Sequence, residues 1–102
     1  MQNPFNEKFL AKAAKALGDR TRLLILKEIA RQGSINCTQA QHLTNLAQPS
    51  ISHHIRLLTN SELVDTYKQG REVNLQINKL KMDEFLAAFS TMATLNPEQT
   101  SN

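Results

Sequence analysis

The sequence predicts a mainly α-helical domain carrying one small β-hairpin. Two observations lead to it. Apolar residues recur at helical spacing in several separate stretches, each closed by Gly, Pro or a capping residue. Over residues 63–77 the period changes to alternation, with a Gly-containing turn in the middle. At 102 residues, 40% hydrophobic and 21% charged, the chain suits one globular domain with a modest core.

Phe5, Phe9, Leu10, Ala13, Ala14 and Leu17 define a first helix, with Lys8, Lys12 and Lys15 between them and Gly18 as its stop. Asp19 is placed to cap the next helix, "RTRLLILKEIARQ". With Leu23, Leu24, Leu26, Ile29 and Ala30 that helix is apolar around much of its circumference, which predicts a central place in the core. Gly33 and Ser34 end it. A short third helix over "TQAQHLTN" has Thr38 as its expected N-cap and Ala40 and Leu43 facing inward. Pro49 suits the first turn of a fourth helix that runs to about Asn60. "LVDTYK" and "EVNLQI" read as paired strands joined through Gln69, Gly70 and Arg71, with Val73, Leu75 and Ile77 on one face. A last amphipathic helix from about Lys79 to Leu95 stops before Pro97. The expected organisation is one domain over residues 1–96 and a disordered tail over 97–102. A short helix, a tight turn, a helix with a polar outer face and then a hairpin make a winged helix-turn-helix.

The fourth helix carries the chemistry. At about 100° per residue, Ile51, Ile55 and Leu58 form one stripe. Pro49, His53, Arg56 and Asn60 gather opposite, with Ser50 and Ser52 on the flanks. Adjacent histidines such as His53 and His54 diverge on a helix and do not converge on a metal, which wants a spacing of three or four. No nucleophile elbow or oxyanion loop accompanies the serines, so no enzyme is expected. Gln48, Ser50, Ser52, His53 and Arg56 instead form a donor-rich face of the kind that reads base edges and phosphates, while His54 is expected to pack against the third helix. A formal charge of +3, from 12 Lys and Arg against 9 Asp and Glu, is mildly favourable to an anionic partner. It also leaves open a winged-helix module that binds protein rather than DNA. Phe5, Phe9, Phe85, Phe89 and Met92 are more apolar surface than the terminal helices of one small domain need, which predicts a homodimer. Cys37 is the single cysteine; it excludes an internal disulfide and reads as a small buried residue. With neither a membrane-length apolar run nor a signal peptide, a cytoplasmic protein is expected, without contact to a membrane.

"KALGDRTRLLILKEI", "LAQPSISHHIRLLTNSELV" and "KQGREVNLQI" together resemble the ArsR family of bacterial winged-helix repressors, over about Ala11 to Ile77. The resemblance implies a homodimer paired through its first and last helices, bound to double-stranded DNA at a palindromic operator. It implies recognition-helix contacts from Gln48, Ser50, Ser52, His53 and Arg56, and wing contacts from Lys68 and Arg71. The chain departs from the family in telling ways. Where many metal-sensing members carry a cysteine pair, Asn36 and Thr38 stand here, with Cys37 between them. The last helix has no histidine, only Asp83 and Glu84, so neither familiar metal site nor any cofactor is expected and the effector is left unnamed. Ala47 replaces the usual serine before "QP" and removes an expected cap.

Overall fold

The computed structural model of the chain describes residues 5–95. Helix α1 (Glu7–Leu17) begins at Asn6, whose side chain accepts a hydrogen bond from the Phe9 amide at 3.1 Å. Helix α2 (Arg20–Gln32) begins at Asp19, which accepts from the Arg22 amide at 2.9 Å. Gly33, at φ 90°, ends α2 in a backbone conformation that L side chains avoid. A two-residue strand β1 (Ile35–Asn36) leads into α3 (Cys37–Thr44). The N-cap of α3 is Asn36, in a reciprocal capping box with Gln39, and Thr38 lies inside the helix rather than at its cap. Asn45 closes α3 at φ 56°, and α4 (Gln48–Asn60) follows within a few residues. Strands β2 (Val64–Gln69) and β3 (Glu72–Ile77) form the hairpin, and α5 (Lys79–Thr94) completes the described chain. The expected tail, 97–102, lies outside the described residues.

The sheet has the order β1-β3-β2, antiparallel throughout, with Ile35 and Thr66 both opposite Leu75. Strand β1 is the element missing from the sequence reading: two residues are too short to show a period. Ile35 and Leu75 join Ala16, Ile25, Ile29, Ala40, Ile51, Leu58 and Val64 in one buried cluster under the helix-turn-helix. A second cluster, Phe9, Leu10, Ala13, Leu63 and Phe85, seats α5 on α1.

Two expectations about packing are corrected. The buried side chains of α2 are Arg22, Ile25 and Ile29, whereas Leu23 and Leu24 are 43% and 40% exposed. Only one face of α2 meets α1, α3 and the sheet, so its full circumference of apolar residues cannot all be covered. Of the residues expected at a dimer contact, Phe9 and Phe85 already meet each other edge to face at 6.5 Å and are 4% and 8% exposed. That leaves Phe89 and Met92, 44% and 40% exposed, as the outward members of the set, beside a half-buried Phe5.

Candidate nucleic-acid interface

Helix α4 is held by its inner stripe. Ile51 and Leu58 are fully buried, and the exit from the helix is pinned by Ser61, whose hydroxyl donates to the Leu58 carbonyl at 2.6 Å and accepts from the Leu63 amide at 3.3 Å. The outer stripe is unencumbered: Gln48, Ser50, His53, Arg56 and Asn60 are exposed and Ser52 half-buried. Ala47 provides no side-chain cap, so the first turn of α4 keeps amide donors facing outward.

His54 is placed by α2 and not, as expected, by α3. Its Nδ1 lies 3.0 Å from an Arg22 terminal nitrogen, which donates to it, and 3.6 Å from Asp19 Oδ2. Arg22 Nε donates to the Ala16 carbonyl at 2.6 Å and its other terminal nitrogen to the Lys15 carbonyl at 3.3 Å. A single buried guanidinium therefore bonds two carbonyls at the end of α1 and fixes one side of α4. Asp19 completes the junction. The Arg22 amide bond first, then the charge of Arg22, hold its carboxyl below the usual range against the opposing effect of desolvation. Sequence reasoning found Asp19 as a cap but missed Arg22, because an arginine in a first turn looks like a solvated charge until the fold brings it under α4.

Lys68 and Arg71 are exposed near and at the tip of the hairpin, where Gly70 takes φ 65°. Lys68 lies opposite Val73 in the sheet register. Near the start of α5, Lys81 stands 3.4 Å from Glu62, 3.6 Å from Glu84 and 5.1 Å over the Phe9 ring, tying that helix to the corner between α4 and β2. Beyond Phe85, α5 exposes Leu86, Phe89 and Met92, and its C-cap Leu95 is exposed as well. Among the described residues no three His, Cys, Asp or Glu side chains converge as metal ligands. Cys37 is half-buried, and that burial pushes its thiol pKa up, which disfavours the reactive thiolate. No helix among the described residues is long and apolar enough to cross a membrane.

The sequence pattern described as "Bacterial regulatory protein, arsR family" matches residues 19–66, from the cap of α2 into β2. The chain is 32% identical over 89 residues to the arsenical resistance operon repressor of Staphylococcus aureus, covering 87% of this chain and 85% of that protein. Among solved structures it is similar to an ArsR family transcriptional regulator at 29% identity and a TM-score of 0.78, over 92% of this chain and 93% of that one. An ArsR-like transcriptional regulator from Rhodococcus sp. RHA1 shares the fold at 21% identity and a TM-score of 0.81, over 93% and 89% of the two chains. With its helix-turn-helix, its wing and these relatives, the chain belongs to the arsR family of bacterial regulatory proteins and is a DNA-binding transcriptional regulator.

Proposed function

We propose that the protein is a homodimeric repressor that binds a palindromic operator. In this reading α4 enters the major groove with Gln48, Ser50, Ser52, His53 and Arg56, while Lys68 and Arg71 hold phosphates from the wing. The observation that carries it is the outer stripe of α4: exposed, rich in donors and free of large apolar side chains. Arg suits guanine and Gln suits adenine in the major groove, and Ser or His serves bases or phosphates. The exposed apolar row on α5, with Phe89 and Met92 at its centre and Phe5 beside α1, supports pairing of two copies. A repressor role is supported by the arsenical resistance operon repressor among the relatives.

The experiment is selection of sites by purified protein from a genomic fragment library at physiological salt. The expected result is one enriched palindrome with half-sites about one helical turn apart. On that site His53→Ala and Arg56→Ala should each weaken binding by about 1–3 kcal/mol and relax base preference. Fragments recovered without a common sequence, or both variants binding like the parent, would remove α4 as the reading element. Recovery of no DNA at any salt would move the weight to a protein-binding module.

A further inference from the structure

Lys8, Lys12 and Lys15 recur about one turn apart along α1, and all three are exposed. Phe9, Leu10, Ala13 and Ala16 form the buried side of the same helix, so this file serves neither core. Among the described residues, three other cations are held by carboxylates: Arg31 by Glu28, Lys79 by Asp83, and Lys81 by Glu62 and Glu84. No carboxylate of the described residues pairs with Lys12 or Lys15.

Helix α1 packs against α4, and a cleft of about 220 Å³ lies where the two meet, lined by Lys12, Lys15, Ala16, Arg22, Leu57 and Asn60. Its apolar wall is Ala16 and Leu57. The guanidinium of Arg22 is engaged by Ala16, Lys15 and His54, which leaves the two ammonium groups and the Asn60 amide to face an incoming ligand. Asn60 is also the last member of the outward stripe of α4 that runs through His53 and Arg56. The cleft therefore opens beside the surface read as entering the groove.

We propose that this cleft is a further DNA contact, in which Lys12 and Lys15, assisted by Asn60, hold a backbone phosphate flanking the groove occupied by α4. The inference rests on the reading of α4 as the groove helix. A strand lying along His53, Arg56 and Asn60 runs on past the cleft, and a phosphate there meets two unpaired positive charges. Lysines serve that role as point charges without demanding a fixed fork geometry. Contacts of this kind position the protein on the duplex and carry no sequence information.

The test compares the parent with Lys12→Gln/Lys15→Gln and with Lys12→Arg/Lys15→Arg, on the selected operator and on a random duplex, across a salt series. Both side chains are exposed and unpaired, so thermal unfolding should be unchanged and serves as the folding control. For one phosphate per protomer of a dimer, the glutamine variant should lower the slope of log K against log salt by about 2 and weaken binding by about 10²-fold at 0.1 M salt. The loss should be equal on operator and random duplex, and the arginine variant should keep the parent slope. An unchanged slope in the glutamine variant, or a loss confined to the operator, overturns the proposal. If the parent itself binds no duplex, the reading of α4 fails first, and the two failures are thereby told apart.

Discussion

Helices α4 and α5 are similar in length, and each turns one exposed face outward, yet the two faces are opposite in chemistry. In α4, Ile51 and Leu58 are buried in the protomer, and Arg22 fixes the flank at His54, so the helix is fully seated before anything binds. What it leaves outside is polar. In α5, only Phe85 is buried among sixteen residues, and Leu86, Phe89 and Met92, with Leu95 at the C-cap, are exposed. A helix with one buried residue gains little from its own protomer, since helical stability in proteins comes mostly from packing an apolar face. The first face is complete and presents donors; the second is incomplete and presents hydrocarbon. In the proposed function the contrast separates the reading of DNA from the pairing of two copies, although both faces come from one small domain.

The contrast breaks most visibly at α5. Phe89→Glu combined with Met92→Glu should raise the dimer dissociation constant by about 10³-fold or more, because each apolar side chain is lost in both copies and a charge is placed in the contact. Sedimentation equilibrium measures it; a variant as dimeric as the parent would locate the pairing surface elsewhere. Seating of α4 is probed next. Arg22→Met keeps volume but removes donors from two carbonyls and from His54, and should cost about 2–3 kcal/mol in urea unfolding while weakening operator binding. An unchanged urea midpoint would mean that the apolar stripe alone holds α4.

The smallest effect refines the same junction. Asp19→Ala should cost about 1 kcal/mol at neutral pH through loss of the cap. The folded-state pKa of Asp19 is lowered, so its stabilisation is present above the unfolded value and is lost as pH falls through the folded one. The difference between Asp19→Ala and the parent should therefore shrink below the ordinary value of 3.8 and continue to shrink beneath it. A difference constant from neutral pH into that acid range would show that the charge of Asp19 contributes nothing.

Much of this was legible along the chain because the relevant physics is local. Helical spacing marked the helices, Asp19 announced a cap, the proline at residue 49 marked the start of α4, and alternation placed Val73, Leu75 and Ile77 together. The outer stripe of α4 follows from a fixed turn per residue, so the exposed Gln48, His53 and Arg56 could be named without a fold. Local pattern did not say which apolar residues the protomer covers. Leu23, Leu24, Phe89 and Met92 carry the same signal as Ile25 and Phe85, and only the packing of neighbouring helices separates them. Nor did it place Arg22 beneath His54, or Lys12 and Lys15 beside Asn60, since those pairs lie 32 and more residues apart and meet only where α1 and α2 pack on α4. Residue order dictated the elements and their faces, because side-chain direction repeats with backbone geometry. The tertiary structure decided which faces are spoken for, because burial belongs to the whole assembly of helices and not to any one of them.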